Sequence, residues 1–432
     1  MGGLLSDLAA GREYIEECVH CGFCLDSCPT YVLWAQETDS PRGRIVLIAD
    51  AIERGGQVSD EMATHIDTCL GCLACVSACP SGVRYDKLIE LARPDVEEQH
   101  ERSAAQRALR LALFETLPYP KRMRALVPLL TATRRLGLER RLPERLAALA
   151  KVAPRPPSRA QLRERVPERT PAVGTTRGRV ALLLGCVQRV FFSDVHRATI
   201  GVLAAEGYEV LAPAEPDCCG ALELHAGERE PGLARARATI AALDALGRID
   251  HVIVNSAGCG AAMKEYGDLL GTPAARAFSA RVRDVSEILA AGQPRAPRGE
   301  LPLRVVYHDA CHLRHAQGIR VQPREMLRAI PGLELLEVPV EADVCCGSAG
   351  IYNLVQPEPA AALGARKAKL LLDTGADAIA AGNPGCAAQL ERHLRDLCPP
   401  GRPVAVHHPI ELVWRSIQAG GARRQYGAQP TR

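Results

Sequence analysis

Apolar residues are spaced in two different ways along this chain. In the first part, Pro41-Arg42-Gly43-Arg44-Ile45-Val46-Leu47-Ile48-Ala49-Asp50 and the stretch from Val58 to Thr68 repeat apolar positions at roughly helical spacing, and Leu88–Arg93 continues the pattern until Pro94. Ala104–Leu117 and Met123–Leu138 read as amphipathic helices divided by Pro118-Tyr119-Pro120, and Lys151–Pro171, with prolines at 154, 156, 157, 167 and 171, reads as an extended linker. From Arg179 the pattern changes. Short apolar runs at Val180–Leu184, Tyr208–Leu211 and His251–Asn255 alternate with helical stretches, one running to Ala205 and one over Gly232–Leu246. The same order returns with runs at Arg304–His308, Leu333–Val338 and Ala376–Ala381 and helices at Gln322–Ile330 and Ala360–Leu372. Strands alternating with helices predict a mostly parallel sheet.

Landmark cysteines move together between the two halves of that region. Cys186 to Cys311 is 125 residues, Cys218 to Cys345 is 127 and Cys259 to Cys386 is 127, which marks an internal duplication. The expected architecture is therefore multidomain. An α-helical domain over 1–100 is followed by a basic helical segment and Pro-rich linker over 101–178, then by a duplicated α/β region, 179–300 and 301–432.

Cysteine spacing supplies the chemistry. Cys18-Val19-His20-Cys21-Gly22-Phe23-Cys24 is followed by Cys28-Pro29, and Cys69-Leu70-Gly71-Cys72-Leu73-Ala74-Cys75 by Cys79-Pro80. Three thiolates two residues apart close on three irons of one cubane, while the fourth, before proline, reaches the neighbouring cluster. The spacing thus predicts that residues 1–100 are a ferredoxin-type domain with two 4Fe-4S clusters, one on Cys18, Cys21, Cys24 and Cys79 and one on Cys69, Cys72, Cys75 and Cys28. A zinc ribbon needs only two C-x2-C pairs and would leave the other cysteines idle. Arg42 and Arg44 read either as solvated surface or as cations that tune cluster potential.

Each duplicated half carries a lone cysteine at a strand end, then Cys-Cys-Gly, then Gly-Cys at another strand end. These are Cys186, Cys218, Cys219 and Cys259 in the first copy and Cys311, Cys345, Cys346 and Cys386 in the second. Ligands gather at the carboxyl ends of parallel strands, so four sulfurs per copy are expected to meet a further metal or cofactor. His308, His312 and His315 flank Cys311 as ligands, proton carriers or ordinary structural histidines. Cys398 has no counterpart and reads as a plain thiol.

Composition narrows the setting. At 432 residues the chain is long enough for several cores, and 17 cysteines without an amino-terminal signal pattern predict a reducing compartment, the cytoplasm by default. Met1-Gly2-Gly3-Leu4-Leu5-Ser6 formally fits a myristoylation pattern and reads as a chance match. No apolar run approaches the roughly 18 residues of a spanning helix, so membrane contact is expected to be peripheral, on the cytoplasmic face of the inner membrane. The formal net charge of +3 is uneven: residues 101–170 hold 17 Lys/Arg against 6 Glu, a surplus of +11. That surplus reads as a solvated face, or as a surface for an acidic protein or an anionic membrane. No recognition module accompanies it, which argues against nucleic acid. A dinucleotide fingerprint, a P-loop and a nucleophile elbow are likewise missing.

The order of Cys-Val-His-Cys-Gly-Phe-Cys, Cys-Pro-Thr-Tyr, Pro-Arg-Gly-Arg-Ile, Cys-Pro-Ser-Gly-Val-Arg-Tyr, Ser-Ala-Gly-Cys-Gly-Ala with Lys-Glu-Tyr-Gly, and Cys-Cys-Gly-Ser-Ala-Gly resembles the iron–sulfur subunits of bacterial glycolate oxidase (glycolate dehydrogenase) from Cys18 to about Trp414. The resemblance implies partner flavoprotein subunits, carrying FAD, that oxidise glycolate to glyoxylate. This chain would conduct the electrons toward a quinone or another membrane acceptor. The paired Cys-Cys-Gly domains also resemble those of iron–sulfur subunits in lactate-utilisation and anaerobic glycerol-3-phosphate dehydrogenase systems and of heterodisulfide reductase. In the last of these the motif ends in C-x2-C and holds a noncubane cluster. Here that final position is Ala262 in one copy and Gln389 in the other, which counts against such a cluster while leaving four sulfurs per copy. The readings to separate are an electron-transfer subunit, an autonomous thiol–disulfide enzyme and a scaffold with inert thiols.

Overall fold

The computed structural model describes residue 8 and residues 11–137, 153–399 and 401–421. The Met1–Ser6 pattern, the end of the second amphipathic helix at Leu138 and the first two residues of the proline-rich stretch lie outside them. The first hundred residues form helices α1 (Arg12–Glu16), α2 (Pro29–Trp34), α3 (Pro41–Glu53), α4 (Asp60–Thr68), α5 (Ala74–Ala78) and α6 (Tyr85–Gln99). Ile45, Ile48, Met62, Ile66, Leu88, Ile89, Ala92 and Val96 make their common core, and Cys69 and Cys75 belong to it.

Helix α6 corrects the expectation of a stop at Pro94, because it continues to Gln99. Proline inside a helix costs about 3 kcal/mol through its lost N–H and a clash with the preceding turn. Burial on both sides of Pro94 offsets that cost: Leu88, Ile89 and Ala92 precede it in the core and Asp95 and Val96 follow it, all almost fully covered. Arg93 adds hydrogen bonds of 2.6 Å to the carbonyls of Cys69 and His225, tying the helix to two other segments.

Helices α7 (Ala104–Phe114) and α8 (Pro120–Arg135) follow, each begun by a recognisable signal. Ser103 and Gln106 form a capping box at α7, and Pro120 occupies the first turn of α8. The proline-rich stretch is less extended than expected. Ser158 and Gln161 cap a short helix, Arg159–Arg163, and β1 (Arg169–Thr170) joins the first sheet antiparallel to β3, with Arg169 donating to Glu209 at 2.6 Å.

The first sheet runs β1-β3-β2-β4-β5, with β2 (Gly178–Leu182), β3 (Tyr208–Leu211), β4 (His251–Val254) and β5 (Val282–Asp284) parallel. The second runs β7-β6-β8-β9, all parallel, with β6 (Leu303–His308), β7 (Leu333–Leu336), β8 (Ala378–Ala381) and β9 (Ala405–His407). Removing β1 leaves one order twice. The strands are short and apolar because both faces are covered, as parallel sheets require. Val180, Ala181 and Leu182 are fully buried, and so are Ile379 and Ala380.

The two copies share a core. Helix Ser193–Ala205 of the first packs on the last helix, Pro409–Ala419, and helix Val285–Ala290 packs on Gln322–Arg328. The shared core mixes Val180, Leu182 and Leu203 with Val305, Tyr307, Leu327 and Ile417. The turns after β4 and β8 meet as well, where the Ala257 N–H donates to Gly382 O at 3.2 Å. Strand carboxyl ends of both copies therefore face one region.

Candidate metal centres

Cys28 occupies the position just before α2, and Pro29 supplies the fixed φ of its first helical residue. Cys69 ends α4, Cys75 lies in α5 and Cys79 ends α5 before Pro80. Burial divides the eight ferredoxin cysteines into two groups. Cys28, Cys69, Cys72 and Cys75 are all buried, whereas Cys18, Cys24 and Cys79 are half-buried and Cys21 is exposed. The division crosses the two sequence runs: Cys28 goes with the second run and Cys79 with the first.

The buried four have a polar shell. Cys69 Sγ accepts from the Gly71 N–H at 3.4 Å and from Tyr85 Oη at 3.6 Å, and Cys28 Sγ lies 3.2 Å from Thr30 Oγ1. Arg44, 1% exposed, reaches Cys28 Sγ at 3.9 Å, pairs with Asp39 at 3.3 Å, and donates to Thr30 and Thr68 at 3.1 and 3.0 Å. Burial opposes its charge, but Cys69, Tyr85, Cys28 and Asp39 hold its pKa above the ordinary arginine value. Gly43 makes this placement of Arg44 feasible, because a Cβ there would lie 1.9 Å from the Glu37 carbonyl. Arg42 serves the other group. It is only partly covered, pairs with Glu37, and donates to His20 O at 2.7 Å beside the first run.

Burial raises Cys72 and Cys75 well above an ordinary thiol, and the neighbouring thiolates add to it. Burial also lifts Cys24 to about 11, with Cys18 and Cys28 contributing repulsion. Cys69 goes the other way: burial opposes its ionisation, yet Arg44 and Arg93 outweigh it and lower its pKa. Four sulfurs converging in a dry core repel one another once ionised, and cationic iron among them removes that penalty. The donor set and its surroundings therefore fit cubane clusters. Arg93, Tyr85 and Thr30 carried no signal in the sequence, since a single polar residue beside an apolar stripe looks like any helix edge.

In the first duplicated copy the four buried or half-buried sulfurs act on one another in turn, Cys186 on Cys218, Cys218 on Cys219 and Cys219 on Cys259, which raises Cys186 and lowers Cys218. The Gly220 N–H donates to Cys218 Sγ at 3.5 Å. In the second, the Cys311 and Cys345 sulfurs are 4.0 Å apart, and the Cys346 and Cys386 sulfurs lie within 4.8 Å of each other. The glycine of each Cys-Cys-Gly has φ +82°, and a Cβ would stand 2.7 Å from a carbonyl, that of Gly232 at Gly220 and that of Ala360 at Gly347. Only glycine suits both the left-handed turn and the close approach.

All eight of these thiols line a single cavity of about 710 Å³, walled on its far side by Leu109, Leu113, Leu117, Leu126 and Leu130 of α7, α8 and the turn between them. Cys398 lies away from it, half-buried beside the second sheet. Among the three histidines, His308 is buried, with one nitrogen within 4.8 Å of Cys346 and Cys386 sulfurs, and burial holds it down at about 3. His312 Nδ1 sits 3.5 Å from Cys311 Sγ and its ring is 4.9 Å from that of His225, a residue the sequence did not single out. His315 turns outward to the ferredoxin region, 2.9 Å from Ser77 Oγ.

The buried ferredoxin group and the second copy are one packed unit. Leu70, Cys72 and Ala74 share a core with Val344, Cys345 and Tyr352, and Cys311 packs against it. Electrostatic contact follows, since Cys311 is the neighbour that most raises Cys72 after burial. Among the described residues no helix is long and apolar enough to cross a membrane.

Comparison with known proteins agrees with this arrangement. A family described as "4Fe-4S dicluster domain" matches residues 14–83, and a family described as "Cysteine-rich domain" matches twice, over 180–264 and 305–391. A probable glycolate oxidase iron-sulfur subunit of Bacillus subtilis is 37% identical over 408 residues, covering 90% of this chain and 91% of that protein. The glycolate oxidase iron-sulfur subunit of Escherichia coli is 35% identical over 422 residues, 94% of each. Lactate utilization protein A of Oceanobacillus iheyensis is more distant, 26% identical over 54% of this chain. An amino-terminal helical 4Fe-4S dicluster region followed by two cysteine-rich domains, matched nearly end to end by such relatives, places the chain in the family of glycolate oxidase iron–sulfur subunits.

Proposed function

We propose that this chain conducts electrons within a complex whose FAD-containing subunits oxidise glycolate to glyoxylate, and delivers them toward a quinone. Two electrons leave glycolate together, and each bound cubane accepts one at a time, so a relay of centres is needed to carry them off singly. The assignment of ligands is that of the crossed pattern: Cys18, Cys21, Cys24 and Cys79 for the outer cluster, Cys69, Cys72, Cys75 and Cys28 for the inner.

One observation carries the reading. Exposure decreases stepwise from Cys21 through the half-buried Cys18, Cys24 and Cys79 to the buried inner group, which packs directly on Cys311 and Cys345 of the second copy. Val19 and Phe23, each 69% exposed, flank Cys21 and offer an apolar face for a flavoprotein. The chain's own groups set the course of the electron. Hydrogen bonds to Cys69 and Cys28 and the Arg44 charge favour the reduced state of the inner centre, while the covering core keeps water from it. The eight duplicated thiols hold further metal at the end of the path. Leu111 projects from α7, 64% exposed, and α8 bears five Lys/Arg and no acid, a surface suited to peripheral contact with an anionic membrane that contains quinone.

The test is purification of the complex with whatever accompanies it, flavin and iron analysis, and addition of glycolate, lactate and glycerol-3-phosphate in turn. Glycolate is expected to bleach the cluster absorbance. Bleaching by lactate or glycerol-3-phosphate alone rejects the glycolate assignment, and turnover by the isolated chain would favour an autonomous thiol–disulfide enzyme.

A further inference from the structure

The two copies share strand order, cysteines and the glycine of Cys-Cys-Gly, but they differ at several buried positions, one of them a strand end beside the sulfurs. In the first sheet Val180 pairs with His251, and in the second Val305 pairs with Ala378, so counting forward along β2 and β6 makes Leu183 the equivalent of His308. Leu183 is 2% exposed and apolar, as a strand end in a core should be. His308 is equally buried, and its Nε2 has no hydrogen-bond partner. An orphaned polar nitrogen in a core costs about 1–3 kcal/mol relative to a satisfied one, so the site as built lacks a partner for it.

We propose that the second copy binds a transition-metal ion through His308 together with Cys346 and Cys386, whereas the first copy has only sulfur to offer. This rests on the reading that the cysteine-rich domains bind metal, and adds which atoms do so. One nitrogen of His308 and the two sulfurs lie within 4.8 Å of one another. Tetrahedral zinc or iron, with metal–sulfur bonds near 2.3 Å and metal–nitrogen bonds of about 2.0–2.1 Å, needs ligand separations of roughly 3.5–3.8 Å, a small contraction from that limit. A mixed imidazole–thiolate set suits zinc and iron.

The surroundings support the same assignment. Asn383 Nδ2 donates to Cys386 Sγ at 3.5 Å, which orients that ligand. Lys367 is buried nearby, its ammonium donating to the carbonyls of Glu341 and Ala342, and it offsets thiolate charge around Cys345 and Cys346. Asp309 is the nearest carboxylate along the chain but is committed to Arg314 and Arg324, leaving the imidazole as the nitrogen or oxygen ligand at hand. Binding displaces the thiol protons of Cys346 and Cys386 and none from the neutral imidazole. If the metal is iron, one neutral ligand in place of a thiolate makes the second copy the more readily reduced of the two, as histidine ligation does in iron–sulfur centres generally.

The experiment compares anaerobically prepared full-length chain with His308→Leu, which copies the first half, and His308→Cys. Iron and zinc per chain are measured, with X-ray absorption at both edges and pulsed EPR for coupling to nitrogen-14. Wild type should show metal beyond the roughly eight iron atoms of the ferredoxin region, with a nitrogen ligand to it. His308→Leu should lose one zinc, or one iron centre, per chain together with the nitrogen signal, while the EPR of the ferredoxin clusters is kept. His308→Cys should retain the metal but not the nitrogen, and it decides the matter if the leucine variant does not fold. An unchanged metal complement and nitrogen signal in His308→Leu, or a persisting nitrogen signal in His308→Cys, overturns the inference alone. Wild type with no metal beyond the ferredoxin clusters overturns the reading it rests on as well.

Discussion

Replacing Arg44 by glutamine removes a full positive charge from a buried site 3.9 Å from Cys28 Sγ. The middle of a cubane attached to that sulfur would be on the order of 8 Å from the guanidinium, where a unit charge at an effective dielectric constant of 20 is worth about 2 kcal/mol. For a one-electron couple that is roughly 90 mV, so Arg44→Gln should lower the potential of the inner cluster by that amount. Arg42 is partly exposed beside the outer group, and Arg42→Gln should move only the outer cluster, and by less. The substitution at Arg44 also leaves Asp39 unpaired in the core, at a cost of about 3–5 kcal/mol. The double variant Arg44→Gln/Asp39→Asn removes both charges, and should recover part of the stability and most of the potential. An EPR-monitored redox titration reads both clusters in one sample. A shift in the outer cluster on changing Arg44, or no shift in either, refutes the placement of Cys28 with the second run.

Four further outcomes follow from the same geometry. Cys28→Ser should abolish the inner cluster signal and Cys79→Ser the outer one, although each lies in the opposite sequence run; EPR of the reduced chain distinguishes the two. Gly347→Ala forces a left-handed backbone on alanine and a Cβ to 2.7 Å from the Ala360 carbonyl, which should lower stability in urea by about 3 kcal/mol. Leu111 is 64% exposed, so Leu111→Glu should leave the melting temperature unchanged while weakening binding to anionic phospholipid vesicles about tenfold, the loss of one buried leucine. Burial lowers His196 to about 3, so the folded chain refuses a proton that the unfolded chain accepts at about 6.5. Its contribution to stability is full above that pH and is lost as pH falls, by about 1.4 kcal/mol between pH 7.5 and 5.5, and His196→Gln should flatten the measured slope by that amount.

The helical ferredoxin region, the parallel sheets and the duplication were legible because each depends on local signals: C-x2-C spacing, apolar runs and repeated offsets. Elements with weaker signals were not. Strands β5 and β9 have only three residues each, too few to show a period. Pro94 misled because a local penalty was outweighed by packing on both sides. The burial of Arg44 beside Cys28, against the partial exposure of Arg42, depends on which helix face meets the core, and two arginines separated by one glycine look alike in sequence. His308 was visible as one of three histidines near Cys311, but its separation from His315 is a matter of strand end against the short helical turn His312–Ala316. The convergence of all eight duplicated thiols on one cavity could be read only after the two copies were packed together, since that packing is set by residues far apart in the chain.

The central claim is that the first hundred residues hold two iron–sulfur cubes whose ligands cross between the runs. Iron and acid-labile sulfide counted per chain in anaerobically isolated protein, with the EPR spectrum of the fully reduced sample, test it most directly. At least eight of each per chain, with the two reduced centres broadening one another's signals, is the expected result. Protein that carries only zinc, or contains neither iron nor sulfide, contradicts it.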